Sequence, residues 1–291
     1  MTSSLTTKKT TALATRGLDS FLLFQDKKFV SGYQNLVTIQ PLNKSKQRGW
    51  FIKTSDLDTC KWTATEDQFD KGTVLWNYAQ LWANGSKEVG LNFIAPRIQV
   101  LLRSPLMVEE TKGMKQIIGP FDKPEVREIF ESDRLAADLA NSKKDMYERR
   151  YTVRTKYLVF VLTKDNKRAH ELPIVLTIKG LNGTDLSEKI RMYEKEMSKC
   201  LTKALASDLP LAYNEKFFAT TVFCPVLANE MRGANNVEIC AIESFEIPDY
   251  SSQDEAISSL NRLSIPDEDR ESTWKLQGLY GDYINQHAKQ D

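Results

Sequence analysis

Tyr151-Thr-Val-Arg-Thr-Lys-Tyr-Leu-Val-Phe-Val-Leu162, then Leu172-Pro-Ile-Val-Leu-Thr-Ile178, then Gly180-Leu-Asn-Gly-Thr-Asp-Leu-Ser-Glu188: from Tyr151 to Ala206 the chain reads strand, loop, strand, turn, helix. Tyr157–Leu162 is a continuous apolar run of strand length. In the next run Ile174, Leu176 and Ile178 fall on one face and Val175, Thr177 and Lys179 on the other. Gly180 and Gly183 bracket a predicted turn, and Asp185 with Glu188 three residues on has the form of a capping box. Leu186, Ile190, Tyr193, Met197, Leu201 and Leu205 then recur at helical spacing.

Upstream, Val37–Leu42 reads as a strand blunted by Pro41, Arg48–Lys53 as a turn into a second, and Ser55–Asp58 as a short helix leading to Trp62. Thr73–Trp82 is β-prone, and Asn84-Gly85-Ser86 is a turn signal. Leu91–Leu102 reads as one long strand bent near Pro96 and broken by Ser104-Pro105. Leu106–Val108 and Gln116–Ile118 suit a small hairpin, and Pro124–Lys144 suits one or two surface helices. Downstream, Phe217–Cys224 alternates as a strand, Asn229–Asn236 is a loop, and Val237–Ile247 is the returning strand. From Pro248 to Ser272 the chain is polar and acidic, a linker by composition, and Trp274–His287 has the pattern of a short amphipathic helix.

From residue 91 the order is strand, long excursion, strand, strand, helix, strand, strand. That is the order of an OB-like five-stranded barrel with a helix between strands 3 and 4, which binds oligonucleotides or oligosaccharides on one face. The fold class expected is therefore α+β, mostly β, with extra N-terminal strands and a large loop insertion at 103–150. A split β-sandwich or another α+β arrangement is the alternative. The domain reading is a disordered arm at 1–17, one globular domain at 18–248 (a β extension at 18–90 and the OB-like core at 91–248), and an acidic linker with a short helix at 249–291.

A chain of 291 residues with 41% hydrophobic and 27% charged residues has the composition of a soluble globular protein. No apolar run reaches the roughly 20 residues of a spanning helix. The first 17 residues are Ser/Thr-rich and basic without an apolar core, which excludes a secretory signal; a disordered cytosolic arm is expected, with an organelle transit peptide as the alternative. Cys60, Cys200, Cys224 and Cys240 show no C-x-x-C spacing, so buried free thiols in a reducing compartment are expected rather than a zinc site. Residues 241–291 hold eleven acids against four bases, a balance of −7, which leaves +8 on residues 1–240 of a chain whose net charge is +1. A basic body with an acidic tail fits nucleic-acid binding, the tail competing for the basic surface or recruiting a partner.

The richest constellation is Lys143-Lys-Asp-Met-Tyr-Glu-Arg-Arg-Tyr-Thr-Val-Arg-Thr-Lys-Tyr157. It interleaves Lys143, Lys144, Arg149, Arg150, Arg154 and Lys156 with Tyr147, Tyr151 and Tyr157. Cations track phosphates with salt-dependent affinity. Aromatic faces stack on unpaired bases, worth ~1–3 kcal/mol each. The competing reading is a solvated charged loop whose tyrosines pack in the core. Lys167 and Arg168 in the turn after Leu162 suit a phosphate clamp, as do Arg97 and Arg103 flanking the first core strand; polar hairpin tips are the plainer explanation. Two histidines, no Walker loop and no G-x-S-x-G leave no catalytic motif, so a non-enzyme without cofactor or metal is expected.

Ile39–Leu42, Gly49–Ile52, Lys61-Trp62, Glu88–Leu91, Pro96–Ile98, Ser104–Leu106 and Ile118–Asp122, with Leu172–Gly180, give the chain a resemblance to an uncharacterised family of cyanobacterial proteins, a domain of unknown function. The resemblance implies a cytoplasmic bacterial setting and brings no catalytic residues. The expected function is non-enzymatic single-stranded DNA binding of a replication, recombination or plasmid-maintenance type. The binding residues are Arg97, Lys143, Lys144, Tyr147, Arg149, Arg150, Tyr151, Arg154, Lys156, Lys167 and Arg168. The alternative is a structural or adaptor protein that docks a partner through Trp274, Leu279 and Tyr283 and has no nucleic-acid role.

Overall fold

A computed structural model describes residues 36–43, 47–82, 84–111, 116–143, 147–207, 213–232 and 237–286. The arm expected at 1–17, the start of the β extension and Lys144 lie outside them. In chain order the elements are β1 (Thr38–Pro41), β2 (Trp50–Lys53), α1 (Thr54–Leu57), β3 (Val74–Leu81), β4 (Lys87–Phe93), β5 (Ile98–Arg103), β6 (Met107–Glu110), β7 (Ile117–Pro120), α2 (Pro124–Ser142), β8 (Tyr151–Val161), β9 (Ile174–Lys179), α3 (Gly180–Ala204), α4 (Glu215–Phe218), β10 (Pro225–Arg232), β11 (Val237–Phe245), α5 (Gln253–Arg262) and α6 (Arg270–Gln286).

β8 is the axis of the sheet. Its 11 residues pair along one edge with β9, Arg154 opposite Lys179 through Val159 opposite Ile174. Its other edge is shared: Tyr151–Arg154 pair with β6 and Tyr157–Val161 with β5. The gap between β5 and β6 is Ser104-Pro105-Leu106, where proline has no N–H for a ladder. Ser104 closes it, donating its N–H to the Lys156 carbonyl (2.8 Å) and accepting the Lys156 N–H on its hydroxyl (2.9 Å).

The barrel is not what forms. Among the described residues nine strands make one open mixed sheet in the order β3-β4-β2-β1-β9-β8-β6-β7, with β5 beside β6 on β8. β1 pairs with β9 in parallel, Thr38 opposite Val175, so the N-terminal strands are the other half of the same sheet. Leu91–Leu102 is not one bent strand either: β4 pairs with β2 and β3, and after a turn at 94–97 β5 joins β8.

Other expectations hold or shift locally. β6 and β7 form the expected hairpin, and α2 is a single helix, begun by Pro124 at its first turn, that buries Val126, Phe130 and Ala137. α3 starts directly after β9, without the expected turn. Gly180 takes φ +60, a conformation glycine adopts freely. Asp185 is therefore inside the helix, paired with Arg232, and not its cap. Leu186, Ile190, Tyr193 and Met197 are buried as the spacing predicts; Leu205 is exposed. The expected strand at 217–224 is instead α4, capped by the Asn214 side chain on the Phe217 N–H, and a threaded segment. There Ala219, Thr220, Thr221, Val222 and Phe223 are all buried, so the alternation carries no facing information. The first strand of the final hairpin is β10, paired with β11 outside the large sheet.

The acidic segment is no linker. α5 is capped by Ser252, buries Ala256 and Ser259 and lies on α3, where the Cys200 thiol meets the Ala256 carbonyl. Leu263 and Ile265 are buried too, and Leu36–Asp291 forms one compact unit. Cys60, Cys200 and Cys240 are buried free thiols and Cys224 is half-buried; burial pushes the first two up to about 11. No helix among the described residues is long and apolar enough to cross a membrane.

Candidate nucleic-acid interface

Apart from Arg154 and Lys156, which lie within β8, the described basic residues singled out in the sequence fall toward its two ends. Eleven residues rising about 3.3 Å each separate those ends by roughly 33 Å.

At the N-terminal end a single carboxylate organises the surface. Asp133, on the buried face of α2, accepts the Tyr147 hydroxyl (2.7 Å) and the backbone N–H groups of Arg150 (3.1 and 3.2 Å) and Tyr151 (3.2 Å). Arg149 Nε lies 3.8 Å from the same carboxylate, and its guanidinium sits 4.9 Å over the Phe130 ring. The other side of the loop is held by Thr111, whose hydroxyl donates to the Arg149 and Arg150 carbonyls (2.8 and 2.9 Å). Lys143, Tyr147, Arg149 and Arg150 remain exposed on this frame. The Asp133 carboxylate raises the Tyr147 phenol above its ordinary range by accepting a hydrogen bond from it, which favours the protonated form. Tyr151 faces inward to the cluster of Val108, Val126 and Phe130, a packing residue rather than a stacking one.

Farther along β8, Arg154 and Lys156 share one face, as the strand period predicts. Arg154 meets Glu109 at 3.0 Å with both side chains nearly buried, and Lys156 is half-buried beside Ser104.

The other end of β8 is built differently. Arg97 donates to Asn166 (2.6 Å) and lies near Glu246 (3.7 Å). Arg168 donates to Gln99 (3.1 Å), Ser272 (3.2 Å) and Thr273 (2.6 Å), with its guanidinium 4.3 Å over the Phe160 ring. Burial lowers its pKa. These arginines clasp α5 and α6 to the sheet: Nη2 of Arg97 and the Arg168 guanidinium are turned to protein acceptors, not outward as a phosphate clamp would need. Lys167 is exposed.

On α6, Thr273 and Tyr280 are buried while Trp274 and Leu279 are exposed. Trp274 donates to the Lys216 carbonyl (3.1 Å). Tyr283 lies in the helix; its side chain is outside the described set.

Two features had no readable sequence signal. Asp133 is one acid among many in a charged helix. The second is a cavity of about 380 Å³ between β5, α3, α4 and α6, with Arg103 and Glu194 on its wall. Arg103 was visible as a cation flanking a strand; Glu194 sits in the helix pattern of α3 without distinction. Among the described residues no group of three or more His, Cys, Asp or Glu is placed to hold a metal ion.

A family model described as "Domain of unknown function (DUF5895)" matches residues 34–255, more than half of the chain. The chain belongs to this family. The match runs well past the segment at 37–122 that carries most of the resemblance, through β8, β9, α3 and the final hairpin, so the Asp133 loop lies inside the DUF5895 domain. No curated protein and no solved structure matches the chain.

Proposed function

We propose that this DUF5895 protein binds single-stranded nucleic acid, without catalysis and without a cofactor, through the loop that Asp133 holds. A role in replication, recombination or plasmid maintenance and a cytoplasmic, cyanobacterial setting belong to the same proposal. The observation that carries it is the frame itself. One buried carboxylate fixes the backbone at residues 150 and 151, so that Tyr147, Arg149 and Arg150 stand exposed together at one end of β8, with Lys143 exposed at the end of α2. Cations held in place bind a phosphate chain without a further ordering cost, and an exposed phenol ring offers a face to an unpaired base. The site is smaller than the sequence suggests: Arg97, Arg154 and Arg168 are engaged within the protein and make no contact with the strand.

Fluorescence anisotropy of a labelled oligo-dT, titrated at two salt concentrations with duplex as control, tests the reading. The single strand is expected to bind more tightly than the duplex and to weaken as salt rises. Replacing Lys143, Arg149 and Arg150 together by Ala is expected to weaken binding at least tenfold. It should also flatten the log–log salt dependence by about 2, at ~0.7 per cation on a single strand. No binding at low salt, or a triple variant that binds like the wild type, contradicts it.

A second reading has its own support. Trp274, 39% exposed, lines an open groove of about 720 Å³ with Lys216, Gly278 and Gly281. This is the adaptor role, with a protein partner docked on the outer face of α6. Under the first reading Trp274→Ala leaves the oligo-dT titration unchanged.

A further inference from the structure

The cavity between β5, α3, α4 and α6 lies apart from the Asp133 loop and has the makings of a small-ligand site. Its volume of about 380 Å³ falls in the range of such sites, ~300–1,000 Å³. Val100, Leu102, Ile190, Phe218 and Phe223 give it an apolar wall.

Most polar atoms around it belong to the frame. The Tyr193 hydroxyl donates to the Val222 carbonyl (2.9 Å), the Thr221 hydroxyl to the Phe218 carbonyl (2.8 Å), and Gln277 Nε2 to the Leu101 carbonyl (3.1 Å). The Asn214 side chain caps α4.

Three charged side chains remain, all lining the cavity: Arg103, Glu194 and Glu215. Arg103 meets Glu194 through Nη1 alone, 3.3 Å from each carboxylate oxygen, so Nε and Nη2 have no partner among the described residues. Burial pushes the Glu194 carboxyl upward against the pull of Arg103 and, more weakly, of Arg191, and the charge of Glu215 adds a smaller upward push. One arginine with two free donors therefore stands beside two carboxylates that repel each other. A carboxylate ligand alone would meet those two acids, and an amine alone would leave the arginine donors unused.

We propose that this cavity binds a free apolar α-amino acid. The carboxylate sits on Arg103 Nε and Nη2, the ammonium lies between Glu194 and Glu215, and the side chain enters the wall of Ile190, Phe218 and Phe223. Adjacent opposite charges on an apolar body match adjacent opposite charges at the edge of an apolar pocket. A peptide terminus carries only one of the two charges.

Isothermal titration of the full chain with L-phenylalanine and L-leucine tests this, beside phenethylamine, which lacks the carboxylate, and 3-phenylpropionate, which lacks the ammonium. Each truncated analogue is expected to bind at least about tenfold more weakly than phenylalanine, 1.4 kcal/mol. Arg103→Met is expected to weaken phenylalanine about tenfold and leave phenethylamine unchanged. Glu194→Gln weakens phenylalanine and phenethylamine and leaves 3-phenylpropionate no weaker. The thermal midpoint of each variant checks that it folds, and Val100→Phe, which fills the cavity from β5, abolishes binding independently of charge. Absence of binding by either amino acid up to about 10 mM overturns the proposal. So does an analogue that binds as tightly as phenylalanine, or phenylalanine affinity that survives both charge variants.

Discussion

His170 is enclosed by Trp62 (5.7 Å between ring centres) and Phe160 (5.2 Å), with both ring nitrogens engaged. Nε2 accepts the Val161 N–H at 2.9 Å, and Nδ1 lies 2.7 Å from the Leu172 carbonyl, so the proton of the neutral ring must sit on Nδ1. Burial lowers the pKa to about 4 from the ordinary 6.5. Below pH 6.5 the unfolded chain takes up a proton that the native ring does not. Stability is then expected to fall between pH 6.5 and about 4 and to level off beneath, by about 3 kcal/mol for this residue. Urea unfolding across that window checks it: His170→Gln should lose this part of the pH dependence, and an unchanged slope would count against the burial argument. Arg168, the neighbour in sequence, shows where residue type misleads. A cation in a turn suggests a ligand. Its three donor contacts reach 69, 104 and 105 positions along the chain, and no local pattern announces them.

At the scale of elements, the strands and helices with strong periodicity were legible: β8, β9, the buried stripe of α3, and the β6–β7 hairpin. What failed were the joins. Ile94-Ala95-Pro96-Arg97 is short enough that two strands on different partners read as one, and the segment after α4 alternates although both of its faces are buried. Gly90 marks the join between β2 and β4 closely. A Cβ there would stand 1.9 Å from the Ile52 carbonyl oxygen and 2.8 Å from the Phe51 ring. Gly90→Ala is expected to cost about 1–3 kcal/mol in chemical unfolding, as overpacking does; a neutral effect would mean that the strands do not approach this closely. The α6 helix depends on the Arg168 clasp. Arg168→Met removes its hydrogen bonds to Ser272 and Thr273, and faster amide exchange along α6 than along α3 is the expected result.

At the scale of the molecule, the order of strands along the chain did not reveal their neighbours in space. An OB-like barrel and the observed open sheet share strand, strand, helix, strand, strand; the parallel β1–β9 pair separates them, and it joins residues more than a hundred positions apart. The acidic tail was misread for a related reason. Its composition is that of a linker, yet Ala256, Leu263 and Ile265 are buried and Glu246 pairs with Arg97 and Arg262. Removing residues 249–291 is therefore expected to yield a chain with a lower thermal midpoint or no cooperative transition, not an unmasked binding protein. A truncated chain as stable as the whole would contradict this.

The candidate site was half legible. The alternation of Lys and Arg with Tyr at 143–157 located one end of β8, but no sequence signal separated the exposed cations there from the half-buried clasps at the other end. Hydrogen–deuterium exchange of the full chain with and without oligo-dT puts that distinction to the test directly. Slowed exchange in peptides covering Tyr147–Arg154, with no change around Arg97 and at Lys164–Arg168, is the predicted result. Protection at the Arg97 and Arg168 end instead, or no protection anywhere at saturating oligonucleotide, would contradict the account.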